Sequence, residues 1–141
     1  MTETMLEMGR RVLGEQPFSV LLGVELTLFE PGKAELRVPI GRNLMQQRGF
    51  VSGGVLSYLA DNAITYAAGG VLGTDVLTVE FKINFIRPAL GEALIARAST
   101  VSAGRTLAVA RCDLYCMNEG RETLVAAAQG TITRVERGDP K

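Results

Sequence analysis

The chain has 141 residues, 47% of them apolar and 21% charged, a balance that places it among globular domains and outside the disordered ones. Fifteen Lys and Arg cancel fifteen Asp and Glu with no basic run, so the electrostatic footprint of a nucleic-acid binder is missing. Histidine is absent altogether, which removes the commonest metal ligand and the commonest general base; carboxylates, amides, hydroxyls and backbone are left for any catalysis, and neither metal nor cofactor is expected.

Taken in chain order, residues 2–14 carry Met5, Leu6, Met8, Val12 and Leu13 among charges, a helical spacing that ends at Gly14 ahead of Pro17. Glu3, Glu7, Arg10 and Arg11 break up this start. No apolar stretch reaches the length of a signal h-region or a membrane span, so the expectation is a cytoplasmic protein without a membrane partner. Val24 to Glu30 and Lys33 to Pro39 read as strands joined at Pro31-Gly32, a hairpin turn in which proline presets φ and glycine accepts a positive one.

From Val55 to Ala68 the apolar residues fall at 55, 56, 59, 60, 63, 64, 67 and 68, the doublet spacing of a wide helical stripe. Ser57, Tyr58, Asp61, Asn62, Thr65 and Tyr66 occupy the opposite face. One charge among short or aromatic polar groups points to a helix buried on both sides. Gly69-Gly70 is the expected stop. Leu77, Val79, Phe81, Ile83 and Phe85 then alternate with Thr78, Glu80, Lys82 and Asn84, and Pro88 closes this strand.

Three further strands are expected near 93–101, 106–117 and 123–135, with turns at Ser102-Ala103-Gly104 and Asn118-Glu119-Gly120. Cys112 and Cys116 lie four apart on one of them, ~13 Å along it, beyond disulfide reach and so reduced. The run Ala126-Ala127-Ala128-Gln129-Gly130 is small-sided and would let a helix lie close against the sheet. Without a repeat or a linker, residues 1–141 read as one domain with residues 1–15 a helical extension; short connections make its sheet mostly antiparallel, with the long helix across one face.

Asp61 is the lone carboxylate of the long helix, with Ser57 one turn before it and Thr65 one turn after on the same face. An aspartate taken at random is an exposed or capping acid, but one buried among hydroxyls points to catalysis. Ser52-Gly53-Gly54 stands where that helix begins. Taken by itself the triplet is a capped, flexible helix entry; beside a catalytic acid its free N–H groups and the positive end of the helix dipole would suit a developing oxyanion.

Gln46, Ser52-Gly53-Gly54 and Asp61 keep two spacings, six and then nine residues. Together with Leu59-Ala60 before Asp61, the segment from Thr78 to Phe85 before Pro88, and Gly104-Arg105-Thr106, this pattern resembles the hotdog acyl-CoA thioesterases of the phenylacetate-pathway, PaaI-like type, over the chain from about Gln16 to Val135. That family places Asn or Gln at the first position, His-Gly-Gly at the second and Asp or Glu at the third, so Ser52 stands in place of the usual histidine. The resemblance implies an α+β hotdog fold, an antiparallel sheet wrapped around a long central helix. It implies hydrolysis of an acyl- or aryl-CoA thioester by a homodimer or a dimer of dimers (a homotetramer) whose sites form where subunits meet.

In that frame Asp61 would be general base or nucleophile, and Gly53, with Gly54 beside it, would donate backbone N–H to the thioester oxygen. Gln46 would hold the carbonyl region or the water. Thr65 and Thr78 match hydroxyl positions that support the water or acyl group, the partner subunit's Thr78 being the alternative to the chain's own. Ser52, Lys82, Arg87 and Arg105 complete the expected substrate contacts, the three cations toward the phosphates of CoA. The competing readings are a hotdog module that binds acyl-CoA without catalysis, against which Asp61 and Gln46 speak, and a dehydratase, whose histidine is missing.

Overall fold

A computed structural model describes residues 2–136. Helix α1 (Met5–Gly14) opens on a reciprocal cap: the Thr4 hydroxyl accepts from Glu7 N–H and the Glu7 carboxylate accepts from Thr4 N–H. A short helix that the sequence pattern does not announce, α2 (Pro17–Leu22), starts on a proline whose missing N–H is harmless at that place and ends on Gly23 at φ 76. Strands β1 (Glu25–Glu30) and β2 (Lys33–Pro39) form the expected hairpin, with Gly32 at φ 81.

A 3-10 turn at Arg42–Leu44 leads to the long helix α3 (Gly53–Leu72), followed by β3 (Val76–Phe85), β4 (Ala93–Ala103), β5 (Leu107–Asn118) and β6 (Arg121–Arg134). The six strands make one antiparallel sheet in the order β1-β2-β4-β5-β6-β3. One face of it wraps α3, the arrangement that the hotdog resemblance implies. Leu26, Leu36, Val38, Leu94, Leu114 and Ile132 of the strands pack against Leu59 and Ile64 of the helix, all fully buried. The opposite side of α3 is covered by α1 and α2, where the Tyr66 hydroxyl donates to Gly9 O at 2.8 Å and Phe29 meets the Tyr66 ring edge-on. Desolvation pushes the Tyr66 phenol up to about 12, so this hydroxyl keeps its proton and its donor role.

Two expectations about local structure are corrected. Helix α3 does not stop at Gly69-Gly70 but runs to Leu72, with Gly73 at φ 116 beyond it and Arg134 Nε donating to Leu72 O at 2.9 Å. Glycine at 70 serves packing: a Cβ there would sit 3.0 Å from Met5 Cε and 3.1 Å from Glu30 O. The alternation along β3 does not give one apolar face either. A bulge between Thr78 and Glu80 shifts the register against β6, which turns Leu77 and Val79 outward and exposed while Thr78, in register with the buried Ile132, faces α3.

Beyond the bulge Phe81, Ile83 and Phe85 lie opposite Gly130, Ala128 and Ala126, so the large side chains of β3 sit beside the small ones of β6. The small-sided run therefore does form a strand, and a Cβ on Gly130 would come within 2.8 Å of Glu80 O at the bulge. Cys112 and Cys116 are buried and form no disulfide, and burial raises both thiols, Cys112 strongly, which disfavours the reactive thiolate.

Candidate active site

The first turn of α3 is built from its sequence. Ser52 holds extended backbone angles, φ −59 and ψ 138, and its hydroxyl accepts from Gly54 N–H at 3.3 Å. Its carbonyl takes the N–H groups of Val55 and Leu56 at 3.0 and 3.3 Å. The exposed Gly53 N–H finds no acceptor among the described residues, as expected for the first donor of a helix. Phe85 stands beside it, since a Cβ on Gly53 would lie 3.4 Å from Phe85 Cζ. The pattern along β3 did not single out that aromatic as a site residue; only its closeness to the glycine reveals it.

Two turns on, Asp61 is half-buried. Its Oδ1 accepts from the Thr78 hydroxyl at 2.7 Å. The Thr65 hydroxyl donates to the Asp61 carbonyl at 2.8 Å and lies 3.2 Å from Thr78 Oγ1 and 3.5 Å from Asp61 Oδ1. Within the chain the β3 bulge brings Thr78 to Asp61. Among the described residues no cation forms an ion pair with Asp61; one carboxylate oxygen is held by the Thr78 hydroxyl, and Oδ2 accepts no hydrogen bond from them.

Next to this unit is a network the sequence reading did not contain. Ser19, which is buried, donates to Gln16 Oε1 at 2.6 Å and is hydrogen-bonded to the Tyr58 hydroxyl. Asn62 Nδ2 reaches Tyr58 Oη at 3.0 Å and Gln16 Oε1 at 3.2 Å. The network fastens α2 and the end of α1 to the helix face that carries Asp61. Its only signal in the sequence was the cluster of polar residues around Asp61.

The remaining expected contacts are scattered in one chain. Gln46 lies in the loop before α3, where its Oε1 accepts from Arg48 N–H at 2.5 Å, and no hydrogen bond joins it to Asp61. Lys82 points to the sheet face away from α3, Arg87 donates to Leu124 O at 3.0 Å beyond the end of β3, and Arg105 sits in the turn between β4 and β5. The three cations do not converge within the chain.

Because Ser52 caps the helix, Ser52→Ala should lower stability by ~1 kcal/mol and change kcat little. Thermal unfolding and kinetics of the same preparation check this. A loss of several orders in kcat at unchanged stability would instead make Ser52 the reacting group.

The sheet thus wraps a long helix that carries a half-buried carboxylate held by the Thr78 hydroxyl and, at its start, an N–H without an acceptor among the described residues. The family profile described as Thioesterase superfamily matches residues 48–123, and the chain belongs to that superfamily; it is a thioester hydrolase. A thioesterase family protein from Silicibacter pomeroyi is 40% identical and superposes with a TM-score of 0.84, covering 88% of this chain and 93% of that one. A mutant of the phenylacetic acid degradation protein PaaI from Thermus thermophilus is 29% identical at a TM-score of 0.74, over 85% of this chain and all of that one (100%). Human acyl-coenzyme A thioesterase 13 is 28% identical over 134 residues, 93% of this chain and 94% of its own.

Proposed function

We propose that the chain hydrolyses acyl-CoA thioesters to the free acid and CoA, with Asp61 as general base for a water or as nucleophile and the Gly53 N–H polarising the thioester carbonyl. The observation that carries this is the Asp61–Thr78–Thr65 unit, in which Oδ1 is fixed at 2.7 Å by a hydroxyl and Oδ2 is free to take a proton from water or to attack. Names of relatives such as acyl-coenzyme A thioesterase 13 support CoA as the leaving thiol.

The two groups cannot serve one carbonyl from a single chain. Gly53 and Asp61 are eight residues apart on α3, about 12 Å along its axis at 1.5 Å per residue, whereas a reacting carbonyl needs both within about 3 Å. A two-fold copy with its α3 antiparallel would set the Gly53 of one subunit beside the Asp61 of the other. Strand β3 supports such pairing, because among the described residues it bonds only to β6 and leaves a ten-residue edge open, a liability that pairing with a second copy removes. We therefore read the enzyme as a homodimer or an assembly of dimers, each chain a single domain.

Thiol release from acetyl-, decanoyl- and 4-hydroxybenzoyl-CoA, followed with a chromogenic disulfide, tests the reading. Turnover of at least one thioester well above the uncatalysed rate is expected. Tight binding of all three without turnover would make the chain a binding module.

A further inference from the structure

Helix α2 is turned inside out. Its serine, Ser19, is buried, whereas Phe18, Val20 and Leu21 are 53%, 60% and 70% exposed; a surface helix ordinarily does the reverse. Hydrogen bonds hold it that way. Gln16 Oε1 can only accept, so the Ser19 hydroxyl gives its proton to it at 2.6 Å; Tyr58 must then donate to Ser19, and Asn62 Nδ2 donates to Tyr58 Oη at 3.0 Å. Phe18 meets the Tyr58 ring edge-on, with centroids 5.0 Å apart. With the serine fixed inward by a chain of bonds that runs in one direction, the apolar residues beside it are fixed outward.

Three side chains do not make a stable interface, which takes roughly 800 Å² from each partner, so the patch has to continue into another. Of the eleven large apolar side chains exposed among the described residues, three are these and five belong to β3 and the loop after it: Leu77, Val79, Phe85, Ile86 and Leu90. Between the two groups lies the accessible face of α3 with Gly54, Ser57 and Asp61, tied to β3 through Thr78 and to α2 through Tyr58 and Asn62. An antiparallel second α3 that brings Gly53 to Asp61 has to lie on this face.

We infer that the outer face of α2 is a docking surface for a second copy of this chain and covers the start of that copy's long helix; the inference rests on the two-chain site read above. Counting in opposite directions from the Gly53–Asp61 pair, Tyr58 and Asn62, which carry α2, stand level with residues 56 and 52 of the other chain, at the first turn of its α3. Docked there, Phe18, Val20 and Leu21 leave water. The same contact shields from solvent the N–H groups of that first turn, and in a drier setting a hydrogen bond from Gly53 to the thioester oxygen is stronger. Each subunit thus supplies its partner's oxyanion donor with an apolar cover.

Leu21→Arg tests this, because a side chain 70% exposed supports little within its own chain. Sedimentation over a dilution series should show the dimer dissociation constant raised at least about tenfold, the factor that one buried leucine carries, with an unchanged circular dichroism spectrum. Leu21→Met should stay within about threefold of the wild type, since methionine replaces leucine at little cost. Val20→Lys should act like Leu21→Arg, which keeps the test open if the arginine impairs folding. Hydrolysis per chain in either charged variant should fall on dilution and return at high protein concentration. A wild-type dissociation constant in both charged variants would overturn the docking surface and leave the shared site standing. So would a dimer that persists while the variants lose wild-type co-sedimentation with vesicles of phosphatidylcholine and phosphatidylglycerol, which would make α2 a membrane contact, or a tetramer that splits into fully active dimers, which would put α2 between dimers. A wild type that is monomeric at every concentration would overturn both readings. Weakened dimers of a protein that hydrolyses no thioester would support the docking surface and remove the chemistry.

Discussion

Asp61→Asn is expected to lower kcat on acyl-CoA by about 10²–10⁴-fold, the range that a positioned general base contributes. The fold should not change, for a specific reason. The amide oxygen of asparagine can still accept from the Thr78 hydroxyl, which holds Oδ1 at 2.7 Å, and the Thr65 bond goes to the backbone carbonyl of residue 61 rather than to its side chain. What the substitution removes is the ability to take a proton or to form a bond to the thioester carbon. Steady-state kinetics and a thermal melt on one preparation distinguish this from unfolding. A folded Asp61→Asn enzyme with near wild-type kcat would show that another group does the chemistry.

A larger qualitative effect is expected from combining two inactive proteins. Gly53→Pro deletes the N–H proposed to bind the thioester oxygen, at a helix position where proline is well tolerated. Ser52 already holds the extended angles, φ −59 and ψ 138, that a residue before proline requires, and the nearest atom to a new Cβ is Phe85 Cζ at 3.4 Å. Alone, the variant should lose about 10²–10³-fold in kcat, as removal of one oxyanion donor does. Co-expressed with Asp61→Asn, it should recover about a quarter of the wild-type sites by random pairing, because a mixed dimer unites the intact Gly53 of one chain with the intact Asp61 of the other. If both groups acted from the same chain, no mixture could rescue activity, and the 12 Å argument along α3 would be wrong.

The candidate site was legible in the sequence because its groups are tied to local structure. Ser52 as cap, Gly53 as the first free donor and Asp61 on the face shared with Thr65 all follow from helical geometry applied to one segment, and the structure has each of them in that place. The strands and hairpin turns were likewise readable from period-two patterns and from Pro31-Gly32, whose physics is confined to a few neighbouring residues.

What the sequence by itself determined, then, is whatever short-range periodicity and capping chemistry fix: the order of the strands and of the two longer helices, the helix that carries Asp61 and its free N–H at the start. Tertiary structure alone decided which face Thr78 occupies. The alternation from Leu77 to Phe85 put it away from the apolar side, and a bulge shaped by the close fit of Glu80 and Phe81 over Gly130 turned it toward Asp61. Packing also decided that α3 continues through Gly69-Gly70, where the missing side chain admits Met5 and the turn after β1, and that α1 stands off far enough to leave a cleft beside Thr65. These outcomes depend on contacts between residues distant in the chain, whose steric fit no local pattern records.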